Sequence, residues 1–222
     1  MELVAIILWN LWLNRNGALF DGSYRDLLSL VFLSINYLQR YQEATTSPHT
    51  PIRTATAQFH WNKPPAGFLK ANFDGAVFSE YGCSGVGVVV RDEWGNFVAG
   101  TSHKIFGIFS PEVIEAYAAK TAISLLLQWK VPKIILKGDS LKIINMIKLM
   151  ESDDSTYGVL LDDIFLSLQN FAAWEANWVP RQANVPAHLL AKNARSISDI
   201  CSWSSSPPPF LSSAILADLS SP

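Results

Sequence analysis

Lys70-Ala71-Asn72-Phe73-Asp74-Gly75-Ala76-Val77 is the stretch on which the fold turns. Phe68, Lys70 and Asn72 alternate with their neighbours at the period of a half-buried strand. A carboxylate, Asp74, then falls inside the strand and is followed by two small residues, Gly75 and Ala76. Strands disfavour Asp. Small neighbours let another backbone, a metal ion or a phosphate come close. Taken by itself, Asp-Gly also fits a hairpin turn, so the stretch has to be read with the rest of the chain.

Downstream, residues 84–91 form a second, more buried apolar run, Asp92-Glu93-Trp94-Gly95 supplies a turn, and residues 96–105 return as a third strand. Gly85 and Gly87 in the second strand imply that something packs closely over it. Ser110-Pro111 opens a helix that runs to about Trp129, with Ser as cap and Pro in the first turn. Ala116, Ala119, Ala122 and Ile123 suit that helix to lying close on a sheet. Residues 133–137 read as a short buried strand ending at Gly138-Asp139-Ser140. Helices over 141–150 and 157–170, a strand over 174–179 and a helix from Asn184 to about Arg195 complete the pattern. An antiparallel meander followed by βα units predicts an α/β domain: a five-stranded mixed sheet, its first three strands antiparallel, flanked by helices.

The flanks read differently. Residues 1–44 carry two apolar-periodic segments, 3–20 and 24–43, separated by Asp21-Gly22-Ser23, which predicts an N-terminal helical hairpin. Residues 45–65 read as a linker, 66–195 as the main domain and 196–222 as a Ser/Pro-rich disordered tail. The apolar start is too short to span a bilayer and has only Glu2 as an early charge, unlike a signal peptide. Two distant cysteines, Cys83 and Cys201, make neither a disulfide framework nor a zinc pattern. The expectation is a protein of the nucleus or cytoplasm, neither secreted nor membrane-bound, and monomeric. With a net charge of −2 there is no bulk basic field to capture nucleic acid, so any such affinity needs local Lys/Arg or metal ions.

Three carboxylates stand in telling places: Asp74 in the first strand, Glu115 early in the first domain helix, and Asp139 at the end of the fourth strand. Singly, Glu115 reads as an acid favoured in a first helical turn, and Asp139 as a helix cap with Ser140 as its rival. Jointly, three converging acids repel one another and raise each other's pKa. A hard divalent cation resolves that conflict, and paired ions about 3.5–4 Å apart are the usual device for attack on a phosphodiester.

Residues 61–194 resemble the type-1 ribonuclease H domain, in the divergent reverse-transcriptase-like form abundant in plants. The motifs are Lys70-Ala71-Asn72-Phe73-Asp74-Gly75-Ala76, residues 85–92, Ser110-Pro111 with Glu115-Ala116, Gly138-Asp139-Ser140, and residues 179–184 running into Ala187-His188-Leu189-Leu190-Ala191-Lys192. Five short motifs in order are specific where each alone is weak. Leu8-Trp9-Asn10-Leu11-Trp12 with Arg15-Asn16 also resembles the segment before this domain in plant non-LTR retroelement proteins. No polymerase motif accompanies them, so the expectation is a retroelement fragment or a domesticated derivative.

The resemblance implies a ribonuclease-H-like fold and metal-dependent endonucleolytic cleavage of the RNA strand of RNA/DNA hybrids, with two ions, Mg²⁺ or Mn²⁺. It assigns Asp74, Glu115 and Asp139 to the metals, and places Glu115 near the 2′-hydroxyl that distinguishes RNA from DNA. Gly75, Ala76, Ser140, Arg181 and Asn184 would face the hybrid. His188 takes the place of the fourth acid, and Gly138 stands where an acid often precedes the family's Asp-Ser. The long basic insertion that helps some relatives grip substrate is missing. The alternatives are a ribonuclease-H-like nucleic-acid-binding or interaction module with little or no catalysis, and a transposon-derived pseudoenzyme; on any of these readings the apolar N-terminal helices are expected to bury against the main domain or a partner.

Overall fold

The computed structural model describes residues 2–16, 18–19, 61–153 and 155–220. The chain divides into two compact units, residues 1–57 and 58–222, and each is described by itself.

In the first unit, α1 spans Glu2–Asn16. Its Leu8, Trp9, Leu11 and Trp12 are exposed, and the indoles of Trp9 and Trp12 stack with centroids 5.3 Å apart. The second helix expected over 24–43, and most of the expected linker, lie outside the described residues. Among the described residues no helix is long and apolar enough to cross a membrane.

The second unit is built on a mixed sheet. β1 (Leu69–Phe78), β2 (Cys83–Arg91) and β3 (Phe97–Phe106) form the expected antiparallel meander. β4 (Lys133–Gly138) pairs parallel to β1, and β5 (Ala173–Trp178) pairs parallel to β4. Five strands were expected, and the sheet has six: β6 (Ile200–Ser204) adds antiparallel to β3, giving the order β5-β4-β1-β2-β3-β6. The tail read as disordered is therefore structured, and a helix at Pro209–Ser220 follows β6. Its Ser/Pro content masked two patterns: alternate exposure along Ile200, Cys201, Ser202, Trp203 and Ser204, and an apolar pair, Leu211 and Ile215, one helical turn apart.

Helices cover both faces. α2 (Pro111–Gln128), α3 (Leu141–Leu149) and α4 (Thr156–Leu168) bury one face in a cluster that includes Phe73, Val88, Ala119 and Ile164. On the other face α5 (Val185–Asn193) and α6 (Pro209–Ser220) share a smaller cluster: Val89, Phe97, Ala187, Leu190, Leu211 and Ile215. The glycines of β2 explain how α5 sits so low. A Cβ on Gly87 would lie 2.1 Å from the Ala191 nitrogen and 2.2 Å from the Ala187 oxygen. Trp61, assigned by composition to the linker, is 6% exposed and belongs to this folded unit.

Candidate functional site

The alternation along β1 sorts its residues by chemistry. Ala71 and Phe73 enter the larger core. Lys70, Asn72 and Asp74 take the opposite face, paired across to Arg91, Val89 and Gly87 of β2. Asp74 is thus aimed toward α5 at the point where the strand changes from buried to half-buried.

Two local devices bring Glu115 and Asp139 to the same place. Ser110 caps α2 by accepting from the Val113 nitrogen at 3.4 Å. Glu115 then lies over Gly75, whose backbone nitrogen donates to Glu115 Oε1 at 3.3 Å. A side chain at Gly75 would strike Ile114 at 2.7 Å, so the small residue after Asp74 is what permits the approach. At the end of β4, Ser140 caps α3 by accepting from the Ile143 nitrogen at 3.5 Å. With the cap supplied by Ser140, the Asp139 carboxylate is left for the site. Gly138 has no room for a side chain either, because a Cβ would meet the Phe73 ring at 2.6 Å.

Asp74, Glu115 and Asp139 each present an oxygen within 4.8 Å of the others. Asp74 and Glu115 are buried, 3% and 9% exposed, and Asp139 is half-buried. Burial, and then repulsion by Asp74 and Asp139, pushes Glu115 up to about 9. Burial, opposed by the Arg181 charge, raises Asp74 to about 6. Asp139 also rises to about 6, through burial and then the charge of Asp74. Glu115 Oε2 is buried with no hydrogen-bond partner among the described residues. An unpaired carboxylate oxygen in an all-oxygen cage is the donor set of a hard divalent cation.

His188 reaches the same acids from α5. Its Nδ1 lies 2.6 Å from Asp74 Oδ2, and Arg181 Nη2 lies 2.9 Å from Nε2 and 3.1 Å from Nδ1. An ionised Asp74 oxygen 2.6 Å from Nδ1 selects the tautomer with the proton on Nδ1, which leaves Nε2 as the acceptor for Arg181. Burial, and then the charges of Arg181 and Lys192, lowers the His188 pKa, consistent with a neutral ring. Both ring nitrogens are thereby engaged.

The remaining expected site residues separate. Gly75 contributes its backbone N–H, Ala76 is half-buried in β1, and Arg181 is exposed beside the acids. Asn184 was expected to face a nucleic acid, and its side chain does not. It is 0% exposed, donates to the Phe73 carbonyl at 2.9 Å and accepts from Asn72 Nδ2 at 3.0 Å. For the same reason Asn184 does not cap α5 with its side chain. Sequence reasoning missed Trp178, whose indole N–H donates to the Asp139 carbonyl at 2.9 Å while the ring stays 44% exposed. Its position at the end of β5, level with Gly138 of β4, was the available signal.

A family model described as reverse transcriptase-like matches residues 72–194. An Arabidopsis thaliana protein provisionally named a ribonuclease H protein is 26% identical over 198 residues. That match covers 88% of this chain and 32% of the relative, so the chain spans about a third of the curated relative's length. Among solved structures, RNase H1 from the archaeon Halobacterium salinarum NRC-1 is similar at 25% identity and a TM-score of 0.54, over 58% of this chain and 98% of that one. LC11-RNase H1, solved in complex with an RNA/DNA hybrid, is similar in fold at 22% identity and a TM-score of 0.53, over 58% of this chain and 96% of that one.

Proposed function

The chain belongs to the reverse transcriptase-like family, with a ribonuclease-H-like domain of the plant type, and from that premise we propose that it hydrolyses the RNA strand of RNA/DNA hybrids. One observation carries the reading: three carboxylates from β1, α2 and the end of β4 meet within 4.8 Å, and one of their buried oxygens has no partner among the described residues.

Asp74, Glu115 and Asp139 would hold Mg²⁺ or Mn²⁺, with Asp74 shared if two ions bind. Such ions supply Lewis-acid polarisation of the phosphate and a water activated at neutral pH. The chain's own residues do the rest. Glu115 gives up a proton as the cage fills. His188 fixes the orientation of Asp74 through Nδ1–H. Arg181, exposed beside the acids, offers a guanidinium to the scissile phosphate. Trp178 holds the Asp139 backbone and presents a flat ring at the rim of the cage.

Cleavage of a fluorescent RNA/DNA hybrid by the full chain, in Mg²⁺ and then in Mn²⁺, tests the reading. Asp74→Asn is expected to abolish cleavage with little change in thermal unfolding. Equal cleavage by wild type and Asp74→Asn would remove the cage from the chemistry. The engagement of both His188 nitrogens favours a second reading, a hybrid-binding module with little catalysis. A folded chain that retards the hybrid in a gel without cutting it in either metal would establish that one.

A further inference from the structure

Beyond Asp74 and toward the far end of the sheet, the polar face of β1 continues into a buried network that the hydrolytic reading does not use. Arg91, the β2 partner of Lys70, is fully buried. Its Nη2 meets Asp218 Oδ2 of α6 at 2.6 Å, while Nε and Nη1 find no hydrogen-bond partner among the described residues. The guanidinium instead lies over the Trp61 ring, 3.8 Å from its centroid. The Trp61 indole N–H donates to Asn72 Oδ1 at 3.0 Å. Asn72 Nδ2 donates in turn to Asn184 Oδ1 at 3.0 Å, and Asn184 Nδ2 donates to the Phe73 carbonyl at 2.9 Å.

The two ends of this chain of contacts are informative. Phe73 immediately precedes Asp74, and Asn184 immediately precedes the helix that carries His188. The network therefore holds both sides of the Asp74–His188 contact. At its other end stands α6, which also packs on α5 through Leu211 and Ile215 against Ala187 and Leu190. Trp61 and Asp218 both lie outside the residues matched by the family model, 72–194. A buried ion pair adds little net stability over an apolar pair of the same size, but it penalises every arrangement that separates its charges. Here it fixes where α6 sits on β2.

We propose that Asp218, Arg91 and Trp61 are positioning residues for the acidic site: through Asn72 and Asn184 they set the geometry at which His188 meets Asp74. The inference rests on the hydrolytic reading only for its consequence in catalysis; the positioning is a property of the folded chain. Groups that bond directly to a metal ligand typically change metal affinity by about 10–100-fold; this relay acts one contact further out, so the lower end of that range is the expectation.

Trp61→Phe keeps an aromatic ring at this position and removes the N–H to Asn72 together with part of the indole's buried volume, for which Leu168→Ala is the control. Asp218→Asn keeps the shape and removes the charge. Each is made in the full chain, beside Leu168→Ala as a matched destabilising control in the other core cluster. The readouts are the NMR signals of the His188 ring and the Asn184 side-chain amide without metal, and Mg²⁺ affinity by calorimetry. Both relay variants are expected to shift the His188 and Asn184 signals and to weaken Mg²⁺ binding about tenfold. The double variant is expected to be no worse than the stronger single one, Asp218→Glu to restore the signals, and Leu168→Ala to leave them in place. Unmoved His188 and Asn184 signals in folded variants would overturn the proposal. Should Asp218→Asn fail to fold, Trp61→Phe decides alone. A chain that shows these shifts yet never cuts a hybrid loses the hydrolytic reading and keeps this one.

Discussion

Burial and the two neighbouring aspartates lift Glu115 from an ordinary 4.5 to about 9, while Asp74 and Asp139 rise to about 6. The folded, cation-free site therefore keeps protons that the unfolded chain has already released. Stability falls where the native state binds more protons, so the contribution of these three acids should decline as pH rises from about 4.5 to about 9. Thermal unfolding in EDTA should give a higher Tm at pH 6 than at pH 8, and Glu115→Gln should flatten the slope. Filling the cage expels the proton, so Mg²⁺ affinity should increase over the same range, with proton release visible as a buffer-dependent binding enthalpy. His188→Asp should raise Mg²⁺-dependent cleavage by adding a hard ligand; a fall would show that the Nδ1–H to Asp74 matters more. At this scale Asp74 was legible because an acid inside a strand breaks a local rule, whereas Glu115 and Asp139, ordinary acids at helix starts when taken singly, became legible only through the order of the motifs around them. Asn184 was not, because a buried amide and a substrate-facing one look alike until their partners, Asn72 and the Phe73 carbonyl, are seen.

Among the elements, α5 is the one whose seat is most tightly specified. Gly85 and Gly87 leave no volume between β2 and the backbone of Ala187 and Ala191. Gly87→Ala should cost about 3 kcal/mol or more by urea unfolding, above an ordinary overpacked site, because the clash is with backbone that no rotamer relieves. The same variant should weaken cleavage, since lifting α5 draws His188 from Asp74. Helices α2 to α5 and the first five strands announced themselves through period, caps and glycines. Ser110-Pro111 and Ser140 behave as their types predict, each side chain accepting from the third residue on. β6 and α6 were hidden for a compositional reason: serines and prolines satisfy an edge strand and a short connection as readily as they satisfy a disordered tail.

On the scale of the whole molecule, the net charge of −2 leaves little long-range attraction for a polyanion. Hybrid binding should rest on a few local contacts, with Arg181 among them. For two phosphate contacts, affinity should fall roughly tenfold between 50 and 200 mM salt, measurable by fluorescence anisotropy. Arg181→Ala should reduce that slope. The folded unit is wider than the sequence suggested because its limits are set by Trp61 and Asp218, whose partners lie far away along the chain. The ion pair between Arg91 and Asp218 joins residues 127 positions apart, which has a consequence for the order of events at the ribosome. Chains emerge at about 5–20 residues per second, so Arg91 waits on the order of ten seconds for its counter-charge. When that interval opens β1, β2 and Asp74 have been made; Glu115 and then Asp139 follow within it, and the charge that completes the sheet's second face arrives last. The nascent chain should thus lack its finished site until synthesis has passed Asp218, and pausing within the preceding segment should prolong its exposure to proteases and chaperones.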